Sequence, residues 1–238
     1  MDAETSLPLS SQFYSPDPRS FSTAVTAGAS LGVRVFAEGD WLYQAGEAPT
    51  FIFVVKSGAV KLTRNVSGLR GRMGHAEFIT RIAGGGDILG ARAVLAGERL
   101  QESARSLTRT EVEVFELSEI LRIMSGPPTL LRTLLHSLGQ QIEDNVAEEA
   151  RRYLASVQER IAQCLLGLAD RFGVEASEGI RIGLRLSRNE LAQLSGTINE
   201  SLSRHLTELK DEGILGLRGK EIFVKNRAAL MAKAGILS

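Results

Sequence analysis

The stretch LSRNELAQLSGTINESLSRHLTELKDE, residues 186–212, decides the fold of the C-terminal part of this chain. Its pattern predicts two short helices joined by a tight turn at Gly196, with the second helix opening at Thr197. Four polar side chains are expected on the exposed face of the second helix: Asn199, Glu200, Ser203 and Arg204. A helix-turn-helix of this kind places its second helix in the DNA major groove, so the stretch indicates a DNA-binding protein rather than an enzyme.

Both helices of this motif carry the S/T-x-x-E pattern of a capping box. Ser187 and Glu190 start the first helix, and Thr197 and Glu200 match the pattern at the second. Glu200 therefore has two possible roles, because it can cap its own helix or accept a hydrogen bond from cytosine N4. Arg204, one turn later on the same face, suits the O6 and N7 acceptors of guanine. The alternative is an ordinary surface ion pair between Glu200 and Arg204.

The flanking sequence extends the motif to a winged helix-turn-helix. Ser156 and Glu159 form a capping box for a preceding helix that ends at Gly173, and IRIGLRL, 180–186, alternates as a strand. After the motif, ILGLR, Gly219 and KEIFV predict a hairpin. The candidates for contacts with DNA phosphates, in the motif and its wing, are Thr197, Ser187, Arg188, Lys210, Arg218 and Lys220.

Charge and composition are compatible with this interpretation. Residues 181–238 carry 10 basic and 6 acidic side chains, whereas residues 1–180 carry 18 basic and 22 acidic ones. A basic C-terminal module on an acidic body is typical of a DNA-binding domain, although the difference is small. The only cysteine is Cys164, no apolar run reaches the length of a membrane span, and the N-terminus lacks the features of a signal peptide. A reducing cytoplasm is the expected compartment.

The region before the motif predicts a β-rich domain. Apolar runs at 51–55 and 59–64 flank the hairpin signal Lys56-Ser57-Gly58, and further strands are expected at 76–83 and 111–117. This pattern is typical of an antiparallel barrel or jelly roll, with 65–75 as an exposed hairpin loop. The α+β chain is therefore divided into a flexible tail (1–30), a β-barrel (31–125), a dimerisation helix (126–155) and a winged helix-turn-helix (156–238).

The dimerisation helix is predicted from its apolar spacing. Ser118 can cap a short helix, Gly126-Pro127-Pro128 then breaks the chain, and a long helix follows from Pro128 to about Tyr153. Its apolar stripe consists of Leu131, Leu135, Leu138, Ile142 and Val146. The first four alternate steps of four and three, as in a coiled-coil seam, which favours self-association over packing on the chain's own barrel.

These segments together resemble the CRP/FNR family of transcription regulators. EGDWLYQAGE at 38–47 and FIFVVKSGAVKLTR at 51–64 are similar to the start of its cyclic-nucleotide-binding-type β-barrel. GGGDILG at 84–90 resembles the glycine corner of its effector pocket, and RIAQCLLGLA at 160–169 resembles the first helix of its DNA-binding domain. The resemblance implies a homodimer joined by the long helix, in which each recognition helix reads half of a palindrome.

The E-x-x-S-R sequence formed by Glu200, Ser203 and Arg204 is similar to the signature of the FNR and FixK branch. That branch reads TTGA-type half-sites, so the resemblance implies a TTGA-N6-TCAA-like operator. The cAMP-receptor pattern has an arginine where this sequence has Asn199. The family also implies an activator that contacts RNA polymerase or a repressor that blocks it. The alternative is a small-molecule sensor whose helix-turn-helix binds protein rather than DNA.

The resemblance also identifies a candidate effector pocket. Its residues are Gly90, Ala91, Arg92, Glu102, Ser103 and, on the long helix, Asn145. The family's cyclic-nucleotide pocket uses Gly-Glu-Leu to hold the ribose and Arg-Ser to hold the phosphate, whereas this sequence has Gly-Ala-Arg and Glu-Ser. Glu102 would repel a phosphate, which disfavours cAMP. Arg92 or Arg105 could bind another anion, such as a carboxylate metabolite, or remain solvated surface arginines.

No cofactor is predicted. An FNR-type iron–sulfur cluster needs several cysteines, and Cys164 is expected to fill core rather than to sense redox state. The histidines His75, His136 and His205 are scattered and match no haem motif. GGGD at 84–87 lacks the lysine of a P-loop, so an enzyme is not expected. A non-cAMP small-molecule effector and an effector-free regulator both remain open.

Overall fold

The computed structural model describes residues 30–66, 76–125 and 154–236. The predicted long helix, including its apolar stripe and Asn145, lies outside these residues except at its end, as does the N-terminal tail before Ser30. Of the predicted loop at 65–75, only Asn65 and Val66 are described, and they extend a strand.

The N-terminal domain consists of two four-stranded antiparallel sheets. Its elements are β1 (Ser30–Phe36), β2 (Trp41–Tyr43), β3 (Phe51–Ser57), β4 (Val60–Val66), β5 (Ala76–Ala83), β6 (Ile88–Leu89), α1 (Ala91–Ala96), β7 (Ser103–Ser106), β8 (Thr110–Glu116) and α2 (Leu117–Met124). The sheets have the strand orders β1-β8-β3-β6 and β2-β7-β4-β5. The predicted jelly-roll-like β domain is thereby confirmed.

The turn predicted at Lys56-Ser57-Gly58 is present, but the predicted hairpin is wrong. β3 pairs with β8 and β6, whereas β4 pairs with β5 and β7, so the turn carries the chain from one sheet to the other. Gly58 has a φ of +90°, and a Cβ at this position would lie 2.5 Å from the carbonyl oxygen of Arg109. Only glycine fits this turn, because it tolerates a positive φ and has no side chain. Val55 before the turn and Val60 and Leu62 after it are all buried in the barrel core.

Helix α2 differs from its prediction at its N-terminus. The helix begins at Leu117, directly after β8, so Ser118 lies inside it and does not cap it. The Leu117 N–H donates instead to the carbonyl of Thr50 at 3.0 Å, and the Ser118 hydroxyl donates to Glu116 Oε2 at 3.1 Å. At the start of this helix, the hydrogen bond to the Thr50 carbonyl thus takes the place of the predicted side-chain cap.

The C-terminal domain is a winged helix-turn-helix. Its elements are α3 (Val157–Phe172), β9 (Gly173–Ala176), β10 (Gly179–Ile182), α4 (Arg188–Leu194), α5 (Asn199–Asp211), β11 (Leu215–Arg218), β12 (Glu221–Val224) and α6 (Arg227–Lys233). The sheet order is β11-β12-β10-β9, so the β11–β12 wing extends a sheet that begins beside α3. The capping boxes at Ser156 and Ser187 are both present.

The strand predicted at 180–186 is shorter than expected. β10 ends at Ile182, and the Gly183 N–H donates to the Phe172 carbonyl at 2.7 Å. Leu184 and Leu186 are nevertheless buried in the domain core. The alternation of apolar residues in 180–186 therefore indicates that every second side chain is buried or partly buried. Only the part up to Ile182 is paired in a sheet.

The two domains share apolar packing. Ile79, Ile82 and Ala59 of the barrel belong to the same buried cluster as Leu165 and Leu191 of the C-terminal domain. Cys164 is buried in this cluster, as expected for a core residue. Within the described ranges, none of the helices is long and apolar enough to cross a membrane.

Candidate DNA-binding interface

The turn between α4 and α5 is a glycine-terminated helix end. Gly196 has a φ of +60°, its N–H donates to the Gln193 carbonyl at 3.1 Å, and the Thr197 N–H donates to the Ala192 carbonyl at 2.9 Å. This pair of bonds is a Schellman motif, which satisfies the last carbonyls of α4. Thr197 consequently belongs to the turn and not to the next helix.

The recognition helix α5 therefore starts two residues later than predicted. It begins at Asn199, and its N-cap is Ile198, which has no side chain able to cap. The predicted Thr197–Glu200 capping box is wrong, because the Thr197 backbone completes the preceding helix. Glu200 lies exposed in the first turn of α5 and makes no hydrogen bond or ion pair with another described residue. The structure thus removes the capping role that competed with base contact.

Arg160 of α3 holds this turn and was not predicted. It donates to the carbonyls of Ala155 (2.9 Å), Ser195 (3.3 Å) and Gly196 (3.1 Å). A guanidinium is well suited to several carbonyls at once, and a cation is favourable beside the C-terminal end of α4. No local signal distinguishes this arginine in the sequence from a solvated one, because its partners in the turn lie 35 and 36 positions away.

Helix α5 separates an apolar face from a polar face. Its buried residues are Leu202, Leu206 and Leu209, which pack on the domain core. The side chains proposed to read bases all lie on the exposed surface: Asn199, Glu200, Ser203 and Arg204. Their exposure is a structural fact, whereas their contact with bases stays a prediction.

Arg204 is paired with a different acid from the one considered. Its Nε lies 4.0 Å from Glu208 Oε1, one turn further along α5, and its side chain is 63% exposed. Glu208 also contacts His205, whose Nδ1 lies 2.8 Å from Oε2. An exposed i,i+4 pair is worth about 0.2–0.5 kcal/mol. Arg204 can therefore leave Glu208 for a base edge at small cost.

The phosphate candidates fall into two groups. Lys210, at the end of α5, and Lys220, in the wing turn, are exposed and have no ion-pair partner among the described residues, whereas Arg218 pairs with Glu178 and stacks over the Phe223 ring at 5.5 Å. Arg188 and Thr197 are half-buried. The Ser187 hydroxyl is already engaged, because it accepts from the Glu190 N–H and donates to the Glu190 carboxylate.

Several residues of the candidate effector pocket and its surroundings make structural contacts. Gly90 has a φ of +81° and lies so close to Phe51 that a Cβ would be 3.0 Å from the Phe51 carbonyl oxygen. The Ser103 hydroxyl accepts a hydrogen bond from the Ala45 N–H at 2.9 Å. Arg105 donates to the Gly39 carbonyl at 2.7 Å and stacks on Trp41, so it holds a loop. Ala91 offers no polar side chain, and Arg92 remains exposed.

Glu102 and Tyr43 determine the electrostatics of this region. Glu102 accepts a hydrogen bond from the Thr80 hydroxyl at 3.3 Å. Burial, reinforced by the negative charge of Glu102, raises the pKa of the Tyr43 hydroxyl well above its ordinary value. That hydroxyl is buried beside the backbone of Gly90. Arg81 and Arg92 also act on this hydroxyl and lower its pKa, but less than burial raises it. Glu102 stands at the position where the family pattern needs a cation, and its carboxylate would repel the phosphate of a cyclic nucleotide.

Polar contacts between described residues join the barrel to the DNA-binding domain. Lys61 Nζ lies 2.8 Å from Glu190 Oε1. The Ile79 N–H donates to the Gln193 side chain at 3.0 Å. Arg171, in the last turn of α3, donates to Asp87 Oδ2 at 2.6 Å. We call these contacts the domain seam, and they fix α4 and α3 against β4, β5 and the loop before β6.

Comparison with known proteins gives the same two domains. Residues 33–126 match the cyclic nucleotide-binding domain family, and residues 159–233 match the Crp-like helix-turn-helix domain family. Among curated proteins, the chain is similar to a CRP-like cAMP-activated global transcriptional regulator of Mycobacterium tuberculosis, with 25% identity over 84% of this chain and 86% of the relative. It is also similar to the transcriptional activator protein FnrA of Stutzerimonas stutzeri, with 28% identity over 85% of this chain and 80% of the relative.

Solved structures agree with these matches. A CRP-family transcriptional regulator from Thermus thermophilus superposes with a TM-score of 0.69 at 25% identity, covering 85% of this chain and 96% of the other. FixK2 from Bradyrhizobium japonicum has the same fold, with a TM-score of 0.66, 22% identity and coverage of 84% and 95%. With its β domain, its winged helix-turn-helix and these relatives, the chain belongs to the CRP/FNR family and is a DNA-binding transcription regulator, not an enzyme.

Proposed function

We propose that this protein is a homodimeric, sequence-specific regulator that reads a palindromic TTGA-N6-TCAA-like site and activates transcription by contacting RNA polymerase. The observation that carries the proposal is the exposed face of α5. Glu200 and Arg204 lie one helical turn apart there, and neither is tied to the protein core.

The two side chains can together read one G·C pair. Residues four apart on a helix are separated by about 6 Å along its axis, a distance that both side chains can bridge to one base pair. A carboxylate accepts from cytosine N4, and a guanidinium donates to guanine O6 and N7. Ser203, between them on the same face, adds a base or phosphate contact. This set accounts for the G·C pair of a TTGA half-site.

The dimer rests on the apolar stripe predicted in the long helix, Leu131, Leu135, Leu138, Ile142 and Val146, which lies outside the described residues. TTGA-N6-TCAA places its half-site centres about 10 bp apart, which is about one turn of B-DNA. Two recognition helices of a symmetric dimer then face the same side of the duplex. A symmetric dimer joined by the long helix would read a site of this spacing.

Activation is supported by the relatives. The Stutzerimonas protein and a Pseudomonas aeruginosa relative with 26% identity are both called transcriptional activators. An activator of this kind acts through contact with RNA polymerase, and the position of its site relative to the promoter decides whether it activates or blocks.

We further propose that control does not involve a cyclic nucleotide or an iron–sulfur cluster. The M. tuberculosis relative is called cAMP-activated, but this chain has Ala91 and Glu102 at the positions that would hold ribose and phosphate. A single cysteine, Cys164, is buried in the core and cannot supply the ligands of a cluster. An effector of this protein would be a different small molecule, bound near Arg92, Glu102 and the buried Tyr43.

The test is selection of bound sites from random DNA with the full-length protein, with and without cAMP. The expected result is enrichment of TTGA-N6-TCAA-like sites that does not depend on cAMP. Enrichment only with cAMP would contradict the effector proposal. No enrichment at moderate salt would favour a helix-turn-helix that binds protein.

Arg204→Ala then tests the base assignment. It should lower the preference for the selected site over scrambled DNA by roughly 5- to 150-fold, equivalent to about 1–3 kcal/mol, while leaving salt-dependent nonspecific binding. Arg227→Ala is the matched control, because Arg227 is an arginine of the same domain whose guanidinium lies 3.0 Å from Asp170. Equal loss on all sequences would show that Arg204 does not read a base.

A further inference from the structure

Ile198, the N-cap of the recognition helix, is unusual for its position in two respects. Ile198 is 67% exposed, although isoleucine is among the most often buried residues. It also occupies the N-cap position, where Ser, Thr, Asp and Asn are preferred and isoleucine is among the poorest choices. A single exposed apolar residue needs no explanation. The combination, at the helix end that enters the groove, is a local inconsistency of the kind that marks functional positions.

The backbone around Ile198 is fixed by its neighbours. Its carbonyl accepts from the N–H of Leu202 at 3.0 Å, and Leu202 is fully buried. On the other side, Arg160 holds the carbonyls of Ser195 and Gly196. The isoleucine is therefore presented from a turn that is anchored on both sides, and its exposure is not the result of a loose loop.

Its position relative to Glu200 indicates what it meets. N-terminal residues of a recognition helix contact base edges in the major groove. Ile198 directly precedes the first helical residue of α5 and stands two positions before Glu200, so its exposed side chain lies at the end of the helix that carries the base-reading residues. If this end enters the major groove, Ile198 meets a base pair near the one that Glu200 and Arg204 read. The apolar group that the major groove offers is the C5 methyl of thymine.

We infer that Ile198 reads sequence by packing against the C5 methyl group of a thymine in the half-site. The inference rests on the proposed function, because TTGA supplies thymines next to the guanine. It adds an apolar specificity contact to the polar ones of Glu200, Ser203 and Arg204. It also explains why the N-cap is apolar: a Ser or Thr there would cap the helix better but would offer less apolar surface to the methyl group.

The test removes the methyl group from the DNA and the side chain from the protein. Each thymine of the selected half-site is replaced in turn by deoxyuridine, which lacks only the C5 methyl, and Kd is measured by fluorescence anisotropy at fixed salt. The wild-type protein should bind one of these sites about fourfold more weakly, the effect of losing one buried methyl-sized contact. With Ile198→Ala the same replacement should have no effect, and Ile198→Val should keep most of it.

Ile198→Ser separates recognition from structure. Serine is a better N-cap and carries no methyl group, so this variant should have a higher Tm than the wild type while losing most of the deoxyuridine effect. A purely structural role would move stability and DNA affinity in the same direction.

The outcomes keep the inference and the proposed function apart. A wild-type protein that selects its site but tolerates deoxyuridine at every thymine overturns the Ile198 contact and leaves the proposed function standing. Persistence of the deoxyuridine effect in Ile198→Ala also overturns it, because another group then reads the methyl. A protein that shows no sequence preference in the random-DNA selection contradicts the proposed function itself.

Discussion

The two helices of the helix-turn-helix have similar polar sequences and opposite surroundings. In α4, Glu190 and Gln193 are held by the barrel, through Lys61 and through the backbone N–H of Ile79. In α5, Glu200 and its polar neighbours face solvent. The difference shows that the first helix fixes the motif to the rest of the protein, so that the second is left for DNA. Variants at the domain seam should therefore change stability, whereas variants on the exposed face of α5 and in the wing should change DNA binding.

The largest effect is expected at the most buried polar contact of the domain seam. The Asp87 side chain is 1% exposed and accepts from Arg171 at 2.6 Å and from the Gly84 N–H at 2.7 Å. Asp87→Ala leaves a largely buried guanidinium without its acid and should lower the free energy of unfolding by about 3–5 kcal/mol. Urea denaturation of the full-length protein measures this loss.

Glu111 provides the control for Asp87. It pairs with Arg109 at 2.7 Å on the surface, where both side chains are substantially exposed. Glu111→Ala should cost less than about 1 kcal/mol. If Asp87→Ala costs no more than Glu111→Ala, the seam contributes no more to stability than a surface ion pair.

The next largest effect is expected at Glu200, on the exposed face of α5. Glu200→Ala removes a carboxylate that makes no hydrogen bond or ion pair with a described residue, so the free energy of unfolding should change by less than about 1 kcal/mol, the limit set by its position at a helix N-terminus. Discrimination at the cytosine position should fall by about 1–3 kcal/mol. Competition binding with each of the four base pairs at that position measures it. Unchanged discrimination would mean that Glu200 makes no base contact.

Glu159 and Glu190, the acids of the two capping boxes, form a matched pair in which a smaller effect on stability is expected. Hydrogen bonds from Ser156 lower the pKa of Glu159. Burial alone would raise the pKa of Glu190, but hydrogen bonds from Lys61 and Ser187 outweigh it and the pKa is lowered. Only Glu190 has a partner on the barrel. We expect Glu190→Gln to lower the free energy of unfolding at pH 7 by about 1 kcal/mol more than Glu159→Gln does.

The lowered pKa of Glu190 also determines how the free energy of unfolding depends on pH. A carboxyl group whose pKa is lower when folded stabilises the protein above its unfolded pKa, here 4.5, and the contribution is lost as pH falls through the folded value. The difference between wild type and Glu190→Gln should therefore shrink below about pH 4.5. Denaturation curves at a series of pH values test this, and a difference that grows on acidification would contradict the sign. Lys61→Ala combined with Glu190→Gln should show coupling between the two sites.

Local patterns predicted the elements of this motif, and contacts across the chain account for what was missed. The capping boxes at Ser156 and Ser187 are formed by residues three apart, so the sequence is sufficient to identify them. Thr197 carries the same pattern, but its backbone N–H is used by the preceding helix, which competes with capping. The partners of Glu190 and Gln193 lie 129 and 114 positions away. No periodicity connects such residues, so the domain seam was not predicted.

The smallest effect is expected in the wing, where two cations differ in how they are held. Lys220 is exposed and has no ion-pair partner among the described residues, whereas Arg218 pairs with Glu178 and stacks on Phe223. A free lysine that contacts a phosphate releases about one counterion, so Lys220→Ala should reduce the slope of log K against log salt by about 1 on any DNA sequence. Arg218→Ala should change the slope less, because Glu178 already neutralises the guanidinium. Equal slopes for both variants would show that the Glu178 pair opens on binding, and that the wing, like α5, exchanges its internal contacts for DNA.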